Sequence, residues 1–266
     1  MTWRPIHPKH AIERTRIAVQ FRDPLSQKTI QTLGQGFDTA GSAFGFEPKQ
    51  NTQSQTISIS ADGRQQFSSP SPTLGWQAVR TAQTTDIVEA IVVDPRAIAY
   101  ENVEYTRWND FWGRSWSILS PLIESANSTT HLQLFSLEYF DRFFFDGHIV
   151  DASPKGLIAG NVLDMVSQQA GEGREHWHIY RGWFDTIDGI RVLVNHNIDS
   201  SDLIDPLSKT LMRSIAIYTK IERRNVDEVV DFGTFAIDMQ KMHAISKSIL
   251  SQSLTKKSID TIGLNE

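Results

Sequence analysis

The best candidate for a metal site is a set of histidines in the second half of the chain. His176 and His178 are separated by one residue, Trp177, which places both imidazoles on one face of a predicted strand. His196 and Asp199 lie on the next predicted strand, and imidazole and carboxylate groups together bind zinc or iron. Because strand histidines more often pack against aromatic rings, we expect all four residues to be structural and no cofactor to be bound.

Charged residues at the ends of two predicted elements form a second candidate site. They are Glu138, Asp141 and Arg142 at the end of a long predicted strand, and Glu101, Glu104 and Arg107 before a predicted helix. Paired carboxylates act as general acid and base when their surroundings separate their pKa values. Charges at the ends of elements are usually solvated or paired with arginine, so we expect ion pairs here rather than catalysis.

Between residues 105 and 126, large apolar side chains recur at helical spacing, which predicts an amphipathic helix. They are Trp108, Phe111, Trp112, Trp116, Leu119 and Ile123. Buried tryptophan, tyrosine and arginine side chains carry most of the affinity in protein interfaces. We therefore predict a protein-binding surface on this helix, and its predicted anchors are Tyr105, Arg107, Trp108 and Trp112. The alternative is that several of these residues belong to the core.

The motifs of common enzyme families are missing from the sequence. It contains no Gly-x-Ser-x-Gly elbow, no Walker sequence, no dinucleotide-binding glycine motif and no His-Glu-x-x-His. It also contains no cysteine, which excludes disulfides, thiolate metal sites and thiol nucleophiles. We therefore expect a protein that is not an enzyme.

The charge balance bears on the kind of partner. The formal net charge is -5 and the isoelectric point is about 5.9, which argues against a surface built throughout to bind phosphates. Basic pairs at Arg223-Arg224 and Lys256-Lys257 are small, although a local basic face remains an alternative. No apolar run approaches the length of about 18 residues that a membrane helix needs. We expect a cytoplasmic protein that does not enter a membrane.

The elements that would position these residues are mostly strands. Alternation of apolar and polar residues predicts strands at residues 12–21, 75–81, 86–93, 97–101, 131–145, 176–184, 190–198 and 212–222. Helical spacing predicts helices around residues 30–44, 105–126, 157–169 and 226–250. A hairpin is predicted at Ile57 and Ile59, with its turn at Asp62-Gly63. Short turns between the strands favour an antiparallel meander.

This order of elements predicts an α+β protein of two lobes, each a mainly antiparallel sheet packed by long amphipathic helices. The first lobe would comprise residues 1–150, and the second residues 151–266 with the long final helix. Proline and glycine in residues 151–160 indicate a linker between them.

Several short segments, taken in order, carry a resemblance to a known family. They are AVQF at residues 18–21, GWQ at 75–77, IVV at 91–93, YTRWNDF at 105–111, LEYFDRF at 137–143, LVNHNID at 193–199, His243, and SLT at 253–255. In their sequence and order, these segments resemble those of a sporadically distributed prokaryotic family of uncharacterised proteins, the sporadTIGR type. The chain departs from that family at residues 138–141, where the family has Arg-Tyr-Ile-Asn, and at Leu250, where the family has an aromatic residue. The resemblance implies an accessory gene of the kind found around defence islands and toxin–antitoxin loci.

Three functions follow from these observations as hypotheses. The leading one is a non-enzymatic protein-binding or regulatory component of a prokaryotic defence or toxin–antitoxin system, whose partner is another protein encoded nearby. In an alternative form of this hypothesis, the protein partner is a second copy of the chain, which gives a homodimer. The second is a component that binds RNA or single-stranded DNA through stacked aromatic rings and arginines. The third is a metal-dependent enzyme built on the histidines and Asp199.

Overall fold

Strands dominate the part of the chain that the computed structural model describes, which is residues 2–52, 57–59, 65–67, 74–83, 85–166, 176–187, 189–224 and 231–264. The strands are β1 (Thr2–Pro5), β2 (Ile12–Phe21), β3 (Gln50–Thr52), β4 (Ile57–Ile59), β5 (Gln65–Phe67), β6 (Gly75–Thr81), β7 (Ile87–Val93), β8 (Ala97–Asn102), β9 (Leu132–Asp146), β10 (Trp177–Ile187), β11 (Ile190–Ile204) and β12 (Leu211–Arg224). The helices are α1 (Gln27–Gly41), α2 (Trp108–Asn127), α3 (Gly160–Leu163), α4 (Phe235–Ser253) and α5 (Lys256–Thr261).

Ten of these strands form one sheet. Its order is β10-β11-β12-β9-β2-β8-β7-β6-β3, and β1 pairs with the end of β9 that lies beyond β2. All neighbours are antiparallel, while β4 and β5 form a separate ladder. The prediction of an α+β fold with a mainly antiparallel sheet is therefore confirmed.

Strand β9 occupies the middle of the sheet and fixes which side chains face the core. It pairs with β12 along one edge and with β2 along the other. Since successive strand residues point to opposite faces, Phe135, Leu137 and Tyr139 share the face that is buried in the core. Glu138 and Arg142 lie on the other face and are partly exposed.

The long helices cover one face of the sheet. α1 contacts β6, α2 contacts β2 and β8, and α4 contacts β9 and β12. Two buried apolar clusters lie beneath the helices, and both use odd-numbered positions of β9, which places them on the same face. Met239 and Met242 of α4 belong to the first cluster and Leu250 to the second, so this helix spans both.

The predicted boundary near residue 150 falls inside this continuous structure. β9 from the first predicted lobe pairs with β12 from the second, and each apolar cluster draws residues from both sides. The predicted linker is buried in part, since Leu157 and Ile158 are at most 1% exposed. Ile158 also forms a bridge with Leu254. The division into two lobes stays a prediction.

Several element boundaries differ from those predicted. The helix predicted at residues 105–126 begins three residues later, at Trp108, and continues through the exposed Pro121 to Asn127. Within the predicted helix at 157–169, the described residues form an α-helix only at Gly160–Leu163, and residues 167–169 lie outside the described part. The long helix predicted from residue 226 is α4. It begins at Phe235, after a turn in which the Asp231 side chain accepts from the Gly233 N–H. The predicted hairpin pairs as β4 and β5, and its turn lies outside the described residues.

A separate result concerns membranes. Within the described residues, no helix combines the length and the apolar character that crossing a bilayer requires.

Two glycines test this packing in opposite directions. A Cβ atom at Gly75 would lie 2.1 Å from the carbonyl oxygen of Val93, so Gly75→Ala forces β6 away from β7. We expect a loss of about 1–3 kcal/mol in the free energy of unfolding. A Cβ atom at Gly113, inside α2, meets nothing within 4 Å, so Gly113→Ala should stabilise by up to about 1 kcal/mol. Urea unfolding of both variants checks this, and equal effects would contradict the register of β6 and β7.

Candidate functional site

A pocket of about 480 Å³ lies where five separate segments of the chain meet. The segments are the start of β2, the residues that lead into α2, strand β9, the middle of α4, and the chain after α5. Its lining residues are His10, Ala11, Ile12, Tyr105, Thr106, Arg107, Trp108, Asn109, Tyr139, Asp141, His243, Ser246, Lys247, Leu250, Ile262, Gly263 and Leu264. We call it the Asp141 pocket. Its volume is typical of sites that bind small molecules.

Asp141 is the unusual residue in this pocket. It occupies an odd-numbered position of β9, so the alternation that buries Tyr139 also buries this carboxyl group, which is only 2% exposed. Its Oδ1 atom has no hydrogen-bond partner among the described residues. Burial raises the pKa of Asp141 from 3.8 to about 7. A buried carboxylate without a partner destabilises the folded state, and strongly perturbed pKa values of this kind are concentrated at functional sites.

A chain of aromatic and imidazole groups lies beside Asp141. The hydroxyl groups of Tyr105 and Tyr139 are hydrogen-bonded to each other, and the Tyr139 hydroxyl lies 2.9 Å from Nδ1 of His243. Burial, and then the positive charge of Lys247, lower the pKa of His243 to about 4. Burial raises the pKa of both tyrosines. All three groups are therefore neutral near pH 7 and present hydrogen-bonding atoms without charge.

Trp108 is held between two other rings. Its indole stacks on His243 with centroids 4.3 Å apart and planes 2° apart, and on Trp112 at 5.7 Å. Its Nε1–H donates to Oε1 of Gln240 at 2.6 Å. The indole is 9% exposed, and its only donor is used within the protein. Trp108 therefore joins α2 to α4.

The structure brings three of the four predicted anchors to one place. Tyr105, Arg107 and Trp108 line the Asp141 pocket, and Trp112 packs between Trp108 and Trp116. Tyr105 and Trp108 are 8% and 9% exposed, so they form walls of a cavity and not a convex surface. Arg107 is exposed at the rim.

The predicted metal candidates do not converge. In the sheet register His178 stands opposite Asp199, whereas His196 stands opposite Arg181, so His178 and His196 are on opposite faces. His196 is buried, with Nδ1 3.0 Å from the Thr219 hydroxyl and Nε2 2.9 Å from the Ser253 hydroxyl. Burial, and then the charge of Arg181, lower its pKa to about 4. His176 lies 3.1 Å from Asp202. Within the described residues no group of three or more His, Asp or Glu side chains could hold a metal ion.

Most of the predicted charged candidates form ion pairs, as expected. Glu138 lies 3.3 Å from Arg16 and accepts from the Tyr218 hydroxyl at 2.9 Å. Arg142 binds Glu13 at 2.8 Å. In the same way, Glu101 pairs with Arg14 and Glu104 pairs with Arg80. Asp141 is the exception, because no cation of the described residues is paired with it.

A buried charge cluster around Glu89 was missed by the sequence reasoning. Glu89 is 1% exposed and accepts hydrogen bonds from Arg114, Arg80, Tyr100 and Asn102. Burial alone would raise its pKa, but the bonds from the two arginines bring the pKa below its usual value. The cluster ties α2 to strands β6, β7 and β8. Its members are far apart in sequence, so no local pattern could have revealed it.

The sequence matches no protein-family model and no curated protein. The geometry and charge of the Asp141 pocket are therefore the grounds for inferring its function. Asp141 appeared in the sequence only as one member of an acidic group, and the signal that it has no arginine partner exists only in three dimensions.

The raised pKa of Asp141 makes stability depend on pH. The folded state holds this proton up to about pH 7, whereas the unfolded chain loses it near pH 3.8, so the residue's contribution to stability falls as pH rises from about 4 to 7. Asp141→Asn removes this penalty. We expect the variant to exceed the wild type by about 2–4 kcal/mol in the free energy of unfolding near pH 8, and by much less near pH 4.

Unfolding by urea across this pH range measures the difference. The buried neutral histidines titrate in both proteins and cancel in the comparison. A difference that stays constant with pH would show that Asp141 is ionised and stabilised in the folded state throughout.

Proposed function

We propose that the chain is a non-enzymatic binding protein with a regulatory role, and that the Asp141 pocket is its ligand site. The observation that carries this proposal is that Asp141 lines a cavity of about 480 Å³, is only 2% exposed, and has an Oδ1 atom without a partner among the described residues. Keeping an unpaired buried carboxylate costs stability, and functional sites are where proteins tolerate such costs. A ligand that donates hydrogen bonds to Asp141 would offset the cost.

The construction of the pocket supports a regulatory role. Its lining comes from β2, the residues before α2, β9, α4 and the chain after α5, which are distant in sequence. A ligand that contacts all five would restrain them together and stabilise one arrangement of the rim. Such an ordered rim is a surface that a second molecule can recognise.

The other two hypotheses receive less support. Stacking on nucleic-acid bases needs an open aromatic face, whereas Trp108 is 9% exposed and already stacks on His243 and Trp112. The metal-dependent enzyme needs His178 and His196 to converge, and they lie on opposite faces of the sheet.

The biological setting of the proposal comes from the resemblance described above. We propose a cytoplasmic component of a prokaryotic defence or toxin–antitoxin system, with a protein partner encoded nearby. Membership of the sporadTIGR type and the two-lobe division are part of the same proposal.

A thermal-shift screen with small metabolites tests the ligand site. A ligand at about 100 times its Kd contributes about 2.7 kcal/mol, which should raise the Tm by several degrees. We expect at least one compound to stabilise the wild type and to lose its effect in Asp141→Asn. The matched control is Asp199→Asn, the same substitution on β11 outside the pocket. Equal shifts in the wild type and in Asp141→Asn would contradict the proposal.

A second candidate function is protein association through the tip of the β11–β12 hairpin. Ile204, Leu207 and Leu211 are 67%, 69% and 59% exposed there. The buried Asp205 holds the tip, because it accepts from Arg4 and from the Ser208 N–H, both at 2.7 Å. An ordered, exposed apolar group is typical of interaction surfaces. The partner that can be tested directly is a second copy of this chain.

Sedimentation velocity over a range of concentrations tests that association. We expect the wild type to dimerise, and the double variant Leu207→Ser, Leu211→Ser to remain monomeric. Ile237→Ser is the control, since this residue is 61% exposed but lies on α4. A wild type that stays monomeric at its highest soluble concentration rules out the homodimer.

A further inference from the structure

We propose that the Asp141 pocket binds an ω-amino acid, a small molecule with an ammonium group at one end and a carboxylate at the other. The ammonium group would bind Asp141, and the carboxylate would lie between the start of α2, Arg107 and Lys247. This inference rests on the proposed function, because it names the class of ligand for the same pocket.

The inner end of the pocket suits an ammonium group. Asp141 offers an acceptor atom that no described residue uses. The hydroxyls of Tyr105 and Tyr139 are close enough that, after burial, the charge of Asp141 contributes to raising the pKa of each. An ammonium group has three donors, one for the carboxylate and others for neighbouring hydroxyl oxygens. A charge pair in this buried setting is worth far more than the same pair in water.

The rim suits a carboxylate. α2 begins at the pocket, and its N-cap residue Arg107 makes no side-chain capping bond to the first turn. Trp108 and Asn109, which supply the first N–H groups, line the pocket. The carboxylate of Asp110 faces the neighbouring cavity, where it accepts from the Thr106 hydroxyl at 3.1 Å. The positive end of a 20-residue helix and the cations of Arg107 and Lys247 therefore act in the same direction.

Depth separates the two charges. Asp141 is buried in the interior, Arg107 is exposed and Lys247 is half-buried. The apolar side chains of Ile12 and Leu250 also line the pocket. A ligand with its charges at opposite ends of a methylene chain fits this arrangement, whereas an α-amino acid carries both charges on one carbon.

Affinity for such a ligand should rise with pH. The titratable and charged groups that line the pocket together with Asp141 are His10, Tyr105, Arg107, Tyr139, His243 and Lys247. His10 and His243 have pKa values lowered to about 4, chiefly by burial, and both tyrosines have raised pKa values, so none of these four changes charge between about pH 6 and pH 8. Asp141, with its pKa raised to about 7 by burial, ionises in that range. The association constant should therefore increase about tenfold from pH 6 to pH 8.

Isothermal titration of the full chain with a matched set of compounds tests the inference. The probes are ω-aminobutyrate, ω-aminohexanoate and ω-aminooctanoate, with hexylamine and hexanoate as the compounds that lack one charge. We expect one ω-amino acid to bind most tightly, hexylamine to bind about fivefold or more weakly, and hexanoate not to bind. Hexylamine binding as tightly as every ω-amino acid would overturn the carboxylate end, and tighter binding of hexanoate would overturn the ammonium end.

Variants separate the two ends. Asp141→Asn should weaken both the ω-amino acid and hexylamine at least tenfold and remove the pH dependence. Lys247→Gln should weaken the ω-amino acid alone, while Lys257→Gln, an exposed cation outside the pocket, should change neither. If the probes fail while another compound binds in an Asp141-dependent way, this inference is wrong and the proposed function stands. If no compound binds in an Asp141-dependent way, both are wrong.

Discussion

The alternation of side chains along the central strand β9 is the constraint on which the rest of the structure depends. β9 pairs with β2 and β12 along most of its length, so its register sets the register of both halves of the sheet. A shift by one residue would exchange the buried Phe135, Leu137 and Tyr139 for residues of the other face, among them Glu138. The same register places Asp141 under the helices. β9 therefore carries both Asp141, whose burial destabilises the fold, and the apolar residues that stabilise it.

Two buried carboxylates show how neighbours decide the state of a charge. Glu89 and Asp141 are 1% and 2% exposed. Glu89 accepts from Arg114 and Arg80, and its pKa is lowered, whereas Asp141 has no such partners and its pKa is raised to about 7. Both residues are almost inaccessible to solvent, but only Glu89 has arginine donors that lower its pKa. Glu89 consequently serves as a structural tie, while Asp141 is left with hydrogen-bonding capacity to offer a ligand.

The aromatic stripe of α2 joins packing to the proposed function. Trp108 stacks on His243, and His243 contacts the Tyr139 hydroxyl, so helices α2 and α4 and strand β9 meet at one chain of contacts. This chain forms the side of the pocket nearest Asp141. A rigid wall limits how far the pocket can relax around an unpaired carboxylate, which keeps the site open to a ligand.

The sequence alone determined the local structure and the class of the fold. Period-two alternation located the main strands, and helical spacing located α2 and the last long helix, because both patterns depend on neighbours within a few residues. It also identified Tyr105, Arg107, Trp108 and Asp141 as notable residues. Only the tertiary structure decided that they surround one pocket, that His178 and His196 face opposite ways, and that Glu89 is paired while Asp141 is not. The physical reason is that a side chain's charge and exposure are set by groups from β2, α2, α4 and the end of the chain. Their meeting depends on how the sheet pairs and not on any local pattern.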